Sequence, residues 1–273
     1  MLPNFVVIGP PRCGTTWLHY NLRAHPDIFV PKAKELHYFD THYELGIETY
    51  EAQFRDWSGQ AAVGDITPSY LSGAYSSNQR IPEMMHRYLP DARLIAVFRN
   101  PVERAYSHYW NNVSQDPQNL ALTFEQKIAQ RPQILDEGRY ADHVQRYLAH
   151  FEERQLLLLL YDDLKQDPLG FLRRIYRHLS VDEGFVSGIE TLKRNAALGR
   201  DHLARSRLLW QTSRVFAKLG AVRAADKLRE ANGRFALPPM EAATRRRLIE
   251  LYRPSNERLA EIMGRDLSHW SEH

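Results

Sequence analysis

The chain has 273 residues, enough for one large α/β domain or two small ones, and its 43% hydrophobic and 25% charged residues are typical of a globular protein in water. Lysine and arginine number 36 against 33 acidic residues, and this formal charge of +3 argues against a basic nucleic-acid coat and favours a local pocket for a small anion. The single cysteine, Cys13, excludes an intramolecular disulfide and a cysteine-based zinc site.

The first predicted elements are a strand, a tight loop and a helix. Phe5–Ile8 is a short apolar run typical of a strand buried on both faces, and apolar residues recur at helical spacing from Thr15 or Thr16 onward. A helix N-terminus directly after a strand and loop offers backbone N–H groups and a positive dipole end to an anion. Cys13 lies in this loop, and without a nearby histidine partner we interpret it as a small filler rather than a nucleophile.

The loop resembles a nucleotide-binding P-loop in its spacing but lacks one residue of that motif. Gly9 and Gly14 have the P-loop spacing and Thr16 occupies the Ser/Thr position, whereas Thr15 stands where the P-loop has lysine. Arg12 is the only cation in the loop. The pattern therefore predicts a phosphate site without the lysine that steadies a γ-phosphate, and the alternative is a strand–loop–helix without a ligand.

The next segment carries a candidate acid–base cluster. Ile28–Pro31 is predicted as a short strand or extended segment, and residues 32–40 are predicted to continue in an extended conformation. In that conformation Glu35 and His37 share one face, beside two lysines, which suits proton transfer. The alternative interpretation is a solvated charged loop.

Strands and helices alternate through the middle of the chain, which predicts a parallel sheet with helices on both faces and ligands at the carboxyl ends of the strands. The predicted strands are 61–65, 93–98 and 156–161, and the predicted helices are 43–57, 79–89, 102–110, 124–130, 138–151 and 169–179.

The character of the sequence changes after residue 193. Residues 193–207 form a basic loop that contains Gly199, followed by predicted helices over 203–219 and 221–231 and a last helix over 241–263 with the run Arg245–Arg247. A glycine among cations favours a loop that covers phosphate, and the alternative is a solvated basic surface. No domain boundary is evident, so we expect one domain over 1–273.

The strongest predicted strand ends in a cation. Arg99 directly follows it, and Ser107 lies eight residues further on the next helix. A Walker-type site would want an aspartate at a strand end to hold Mg²⁺. The residues instead predict anion binding by cations and backbone beside the Gly9–Thr16 loop, with no metal required.

With these motifs in order, the chain resembles the sulfotransferases that use 3'-phosphoadenosine 5'-phosphosulfate (PAPS), and within them the heparan sulfate and carbohydrate branch, as a soluble member of bacterial type. The resemblance implies a P-loop-NTPase-like α/β fold with a central parallel sheet. It is carried over nearly the whole chain by Gly9–Leu18, Arg93–Ser107, Glu35–Phe39, Thr67–Tyr70, Gly138–Tyr140 and Tyr161–Leu164.

The resemblance implies roles for individual residues. Glu35 is implied as the base that deprotonates the acceptor, with His37 as the alternative, and Arg12 as the cation that neutralises charge on the bridging oxygen. The 193–236 segment is implied to cover the cofactor. The implied cofactor-binding residues are Arg12, Cys13, Gly14, Thr15, Thr16, Trp17, Arg99, Ser107, Tyr161, Arg194, Gly199 and Arg200.

Two departures from the family pattern and two rival functions accompany this interpretation. Ile66 stands where the heparan branch often has a lysine, and only Gly199–Arg200 resembles the cofactor-covering segment. The rivals are an ATP- and Mg²⁺-dependent P-loop kinase and a non-catalytic nucleotide-binding module. A buried Glu35 facing the phosphate loop would argue against the module, and a solvated Glu35 would support it.

The acceptor is expected to be a saccharide or another small molecule, not nucleic acid or a membrane. Tyr38, Phe39, Tyr70 and Tyr140 are predicted to flank the site, where they would suit a sugar ring or an aromatic alcohol equally. No leader or membrane-spanning run is evident, so a cytoplasmic location is expected. The oligomeric state is left open.

Overall fold

Five short strands, four of them made almost entirely of apolar residues, form one parallel sheet. The computed structural model describes residues 1–73, 79–115, 122–188 and 240–272, with 202–204, 234–236 and positions 212, 215–216, 224 and 227–228. The strand order is β2–β3–β1–β4–β5, and all four pairings in this sheet are parallel. The strands are β1 (Phe5–Gly9), β2 (Ile28–Phe29), β3 (Ala62–Ile66), β4 (Arg93–Phe98) and β5 (Leu156–Leu160).

Helices cover both faces of this sheet, as the alternating pattern predicts. One apolar cluster packs against one face and contains Val6, Val63 and Phe98, and a second contains Phe5, Val7 and Val97, so neighbouring residues of a strand point to opposite cores. The helices are α1 (Thr15–Ala24), α2 (Ile47–Glu51), α3 (Ile81–Tyr88), α4 (Pro101–Gln115), α5 (Phe124–Gln130), α6 (Gln133–Asp136), α7 (Tyr140–Leu148), α8 (Tyr161–Gln166), α9 (Pro168–Leu179) and α10 (Ala242–Met263). Within the described ranges, no helix is both long and apolar enough to span a membrane.

The position of β1 between β3 and β4 creates the crevice that holds the candidate site. The chain leaves β1 toward β2 and β3 on one side and returns to β4 on the other. Ligands of open parallel sheets bind at such a reversal, outside the carboxyl ends of the strands. The predicted α/β fold with a central parallel sheet is confirmed, and the end of β1 is its focal point.

Three predicted element boundaries are wrong. The helix predicted over 43–57 is broken into a 3₁₀ turn at Tyr43–Leu45, α2 and a second 3₁₀ turn at Ala52–Phe54. Tyr161, predicted as the last residue of a strand, is the first residue of α8. The helix predicted from residue 203 is contradicted at its start, because His202–Ala204 is a strand that pairs antiparallel with Arg234–Ala236.

The extended conformation predicted for residues 32–40 is also wrong. Glu35 and His37 adopt positive φ angles of 64° and 54°, and Tyr38–His42 forms a π-helical turn. Left-handed backbone is uncommon for residues other than glycine, asparagine and aspartate, so no local pattern in the sequence indicates it. The segment instead follows contacts with the end of β3, where the Glu35 N–H donates to the Ile66 carbonyl over 3.1 Å.

Candidate functional site

The loop after β1 is shaped by two glycines that no other residue could replace without strain. Gly9 has φ 125°, and a Cβ there would lie 1.9 Å from the Pro68 carbonyl oxygen. Gly14 has φ 88°, and its Cβ would lie 2.9 Å from Leu164 and 3.2 Å from the Tyr161 ring. The first glycine thus lets the end of β3 approach the loop, and the second lets α8 approach it.

Helix α1 begins directly behind this loop, at the carboxyl end of β1. Gly14 is the residue before the helix, and as a glycine it has no side chain to cap the helix start. The first intrahelical bond runs from Leu18 N to the Gly14 carbonyl over 3.0 Å, so the N–H groups of Thr15 and Thr16 have no partner within the helix. Cys13 is fully buried and Trp17 packs edge-on against Phe171, so only their backbones are available to a ligand here.

Arg12 reaches from the loop to α4. Its Nε lies 3.4 Å from the Ser107 hydroxyl, and its Nη1 donates to the Asn111 amide oxygen over 2.7 Å. The structure therefore places Ser107 beside the Gly9–Thr16 loop, as the sequence predicts. Sequence reasoning missed Asn111, although it lies four residues after Ser107 and so on the same face of the helix.

Arg99 lies half-buried at the end of β4, beside the Tyr161 ring. Its side chain is 16% exposed, and its guanidinium carbon lies 5.4 Å from the centre of the Tyr161 ring, within cation–π range. The same ring lies beside Gly14, where a Cβ would come within 3.2 Å of it, so Tyr161 adjoins both Arg99 and the phosphate loop. Arg99 Nη2 lies 3.9 Å from a Glu103 oxygen, whereas Nη1 is buried and has no hydrogen-bond partner among the described residues.

The backbone that carries Arg99 is held by three further hydrogen bonds. The Tyr140 hydroxyl donates to the Arg99 carbonyl over 2.9 Å. The Asn100 side chain accepts from Val102 N over 3.0 Å, which caps α4, and donates to the Trp270 carbonyl over 3.2 Å. The 3₁₀ turn Ser268–Ser271 therefore helps to fix this corner, a contact that the sequence around Arg99 does not indicate.

A second cluster stands at the end of β3, next to the loop. His37 Nδ1 donates to the Asp40 carboxylate over 3.1 Å, and the Ser69 hydroxyl also donates to Asp40. His37 Nε2 lies 3.9 Å from a Glu35 oxygen, and Lys34 forms an ion pair with Glu35. Glu35 and His37 are thus brought together despite the unexpected backbone.

Charge and burial set the chemistry of this cluster. The hydrogen bond to Asp40 raises the pKa of His37 above its ordinary value, against the opposing effect of burial, and Glu35 raises it further. The Asp40 side chain is fully buried, whereas that of Glu35 keeps 36% exposure beside Lys34. Glu35 is therefore neither buried nor solvated without partners, and its exposure decides neither for nor against a non-catalytic module.

Sequence reasoning missed Asp40 and placed four aromatic residues wrongly. Asp40 lies three residues after His37, a spacing that brings side chains together in a helical turn but not in the predicted extended segment. The residues predicted to flank the site for an acceptor ring are all buried in the core. They are Tyr38 at 2% exposure, Phe39 at 0%, Tyr70 at 1% and Tyr140 at 0%.

Some predicted positions lie elsewhere or cannot be placed. Ile66, at the position of the family's lysine, is 2% exposed in the apolar core, so it supplies no substitute contact. Arg194, Gly199 and Arg200 lie outside the described residues. In the described part of the chain, no group of three or more histidine, cysteine or acidic side chains could hold a metal ion.

Comparisons with known proteins show the family of the chain. The model of the sulfotransferase domain family matches residues 2–196. Heparan sulfate glucosamine 3-O-sulfotransferase 3B1 of Mus musculus is 29% identical over 281 residues, covering 97% of this chain and 64% of that protein. The bifunctional heparan sulfate N-deacetylase/N-sulfotransferase 4 of Mus musculus is 29% identical over 294 residues, covering 98% of this chain and 31% of that protein. The chain thus spans less than two thirds of the length of these relatives.

Among solved structures, a sulfotransferase from Alicyclobacillus acidocaldarius superposes with a TM-score of 0.72. The alignment covers 100% of both chains at 23% sequence identity. At this identity the likeness establishes the shared fold and leaves the substrate unspecified.

Proposed function

The chain belongs to the sulfotransferase domain family, and on that premise we propose that it transfers the sulfuryl group of PAPS to a hydroxyl or amine of a saccharide or small-molecule acceptor. The acceptor atom forms a bond to sulfur as the bond from sulfur to the bridging phosphate oxygen breaks. Adenosine 3',5'-bisphosphate leaves, and the acceptor proton passes to a base of the protein. A single domain over 1–273, with 193–236 covering the donor, and a cytoplasmic location are part of the proposal.

One observation carries the donor assignment: a buried guanidinium nitrogen at the end of β4 has no hydrogen-bond partner in the part of the chain that the structure describes. A buried donor left without an acceptor costs about 1–3 kcal/mol, and more for a charged group, so Nη1 of Arg99 favours an anionic ligand. Arg99 and Ser107 would hold the 3'-phosphate, the group that distinguishes PAPS from ATP. The amides of Arg12–Thr16 and the hydroxyls of Thr15 and Thr16 would hold the 5'-phosphosulfate, as at other helix N-termini.

The acidic side chain beside Arg99 is compatible with this role because another arginine holds it. Glu103 would repel a phosphate, but Arg245 donates to its carboxylate over 2.6 Å, against 3.9 Å for the nearest Arg99 nitrogen. The shorter contact pairs Glu103 with Arg245 and leaves the charge of Arg99 for the ligand. Arg245 belongs to the arginine run of the last helix and thus acts next to the proposed donor site.

Glu35 is the proposed base, and His37 is positioned to support it. The carboxylate of Glu35 would accept the acceptor proton as the acceptor attacks sulfur. His37, held by Asp40, presents Nε2 toward Glu35 at 3.9 Å and stabilises the carboxylate when the ring is charged. Arg12 stabilises the charge that develops on the leaving phosphate, a purely electrostatic role because its guanidinium keeps its proton.

The acceptor proposal is a saccharide, supported by the relatives whose names concern heparan sulfate. The burial of the four aromatic residues named above removes the argument for stacking an aromatic alcohol on them. We therefore propose that polar contacts rather than a stacking platform hold the acceptor.

Calorimetry tests the donor assignment. We expect adenosine 3',5'-bisphosphate to bind more tightly than ATP with Mg²⁺ and without need of a metal. Arg99→Ala is expected to weaken binding of the bisphosphate by about 1.5–3 kcal/mol, roughly 10- to 150-fold in Kd. This is the value of a charge-assisted hydrogen bond. The same variant should leave adenosine 5'-phosphate, which lacks the 3'-phosphate, nearly unchanged.

Arg93→Ala is the matched control, since Arg93 starts the same strand at the end remote from the loop. It should bind the bisphosphate as the wild type does. Tighter binding of ATP with Mg²⁺, or an Arg99→Ala variant with unchanged bisphosphate affinity, would refute the donor assignment and favour the kinase.

A further inference from the structure

Two strained residues lie in the segment that carries the proposed base. Glu35 and His37 both have left-handed backbone, at φ 64° and 54°. Such conformations cost roughly 1–3 kcal/mol each and persist where the surrounding structure holds them in place. What holds residues 35–39 therefore decides where Glu35 and His37 stand.

The first constraint on this backbone consists of two linked hydrogen bonds from the end of β3. Thr67 donates its hydroxyl to Asp65 Oδ1 over 2.7 Å. The same hydroxyl oxygen accepts the backbone N–H of Leu36, the residue between Glu35 and His37, over 3.0 Å. Because a hydroxyl has one proton, its donation to Asp65 leaves the oxygen lone pairs for Leu36.

The second constraint is built in the same way and acts on the backbone after His37. The Tyr70 hydroxyl donates to Asp65 Oδ2 over 3.1 Å. Its oxygen accepts the N–H of Tyr38 over 2.8 Å and that of Phe39 over 3.4 Å. Asp65 and Thr67 have no exposed surface and Tyr70 has 1%, so little water can replace these bonds.

We infer that Asp65 is a positioning residue for sulfuryl transfer: through Thr67 and Tyr70 it fixes the backbone on both sides of His37 and thereby places Glu35 and His37. The inference rests on the proposed function only for the roles of Glu35 and His37. Asp65 itself touches neither of them, and it acts through its two hydroxyl partners.

The ionised form of Asp65 suits this task. A carboxylate can accept from all its donors at once, whereas a protonated carboxyl must donate one bond and leaves a hydroxyl without its acceptor. Burial raises the pKa of Asp65 to about 6, in opposition to the hydrogen bonds from Thr67, Tyr50 and Tyr70. The charged groups that act on it are Asp40, whose negative charge raises the same pKa, and His37, whose own pKa Asp65 raises. The positioning is therefore expected to weaken below about pH 6.

Tyr50 provides an internal control for the two constraints through Thr67 and Tyr70. The Tyr50 hydroxyl donates to Asp65 Oδ2 over 3.0 Å, and this tyrosine is as buried as Tyr70, but no backbone N–H of residues 35–39 donates to it. Tyr50→Phe removes one hydrogen bond to Asp65 and keeps both hydrogen-bond connections from Asp65 to the backbone of residues 35–39. Thr67→Val and Tyr70→Phe each remove one of these hydrogen-bond connections, with a similarly small change in side-chain volume.

Amide hydrogen exchange in the 273-residue chain tests the inference without need of an acceptor. We expect Thr67→Val to speed exchange of the Leu36 amide about tenfold or more, and Tyr70→Phe to do so for the Tyr38 amide, as loss of one buried hydrogen bond implies. Tyr50→Phe should stay within about twofold of wild type at both amides. Thr67→Ser, which keeps the hydroxyl, should restore protection of Leu36.

Turnover with PAPS and a heparan-type oligosaccharide adds a functional readout. Thr67→Val and Tyr70→Phe are expected to lower kcat by about tenfold or more while the Kd for adenosine 3',5'-bisphosphate is unchanged, because the phosphate loop does not depend on these bonds. Equal exchange in all three variants, or an equal loss of kcat in Tyr50→Phe, would overturn the inference. A wild type that binds the bisphosphate but transfers nothing would count against the proposed acceptor, and the exchange data would still decide the role of Asp65.

Discussion

Replacing Arg104 by methionine is expected to be among the most destabilising single substitutions in the described chain. Arg104 has no exposed surface, donates to Glu137 Oε2 over 2.6 Å and donates to the Ile134 carbonyl over 2.6 Å. It lies one turn before Ser107 on α4, so it ties the helix of the proposed phosphate site to the segment that leads to Tyr140.

The magnitude follows from what remains after the substitution. Burial favours the neutral form of Glu137, but Arg104 and His108 hold its pKa below the ordinary value. Without Arg104 a buried carboxylate is left with His108 at 3.2 Å, and breaking a buried pair in this way costs about 3–5 kcal/mol. The double variant Arg104→Met/Glu137→Leu removes both charges, so we expect it to be more stable than Arg104→Met alone.

The pH dependence has a definite sign. In Arg104→Met the pKa of Glu137 should rise, so the native state takes up a proton more readily than the unfolded chain does as pH falls. The gap in the free energy of unfolding between wild type and variant is therefore expected to be largest near pH 8 and to narrow toward pH 5. Urea unfolding at both pH values measures it.

Two outcomes would refute this reasoning. One is a loss below about 1 kcal/mol in Arg104→Met at pH 8, which would mean that water reaches Glu137 and the pair is not buried in solution. The other is a double variant as unstable as the single one, which would assign the loss to packing volume instead of the unpaired charge.

Two further substitutions test the surroundings of the site. Asp40→Asn should lower the ring pKa of His37, because the hydrogen bond and the charge that raise it are lost. NMR titration of the His37 ring measures this pKa. An unchanged value would contradict the role of Asp40. Gly64→Ala should destabilise the fold by about 1–3 kcal/mol in urea unfolding, since its Cβ would lie 2.0 Å from the Phe5 ring, and Phe5→Leu in the same background should recover part of the loss. Failure of that recovery would place the strain elsewhere.

The elements that sequence reasoning predicted correctly are those whose determinants are local. Phe5–Ile8 is apolar at every position, and the glycine spacing that follows is characteristic of a loop against a helix N-terminus, so strand and loop could be predicted without knowledge of the neighbours. The same holds for the end of β4 at Arg99. Whether these residues bind PAPS stays a prediction.

The parts that could not be predicted depend on distant contacts. The backbone at Glu35 and His37 contradicts local preference, because hydroxyls more than thirty residues away, on Thr67 and Tyr70, receive its amides. For the same reason the sequence does not predict that Tyr70 is buried in the core instead of flanking the acceptor. A tyrosine near a site suits ligand stacking on sequence grounds, but here its hydroxyl is committed to Asp65 and the backbone.

The order of the strands explains why the proposed donor and acceptor groups would face each other across the sulfur. In-line displacement requires the incoming atom and the leaving oxygen on opposite sides of the sulfur. Strand β1 lies between β3 and β4, so its loop has the Glu35–His37 cluster on one flank and Arg99 on the other. A donor with its 3'-phosphate at Arg99 and its phosphosulfate on the loop would therefore turn its sulfur toward the β3 flank. Since Pro68 approaches Gly9 too closely for any Cβ, the β3 flank is held against that loop, and a larger residue at position 9 should disturb acceptor turnover and donor binding together.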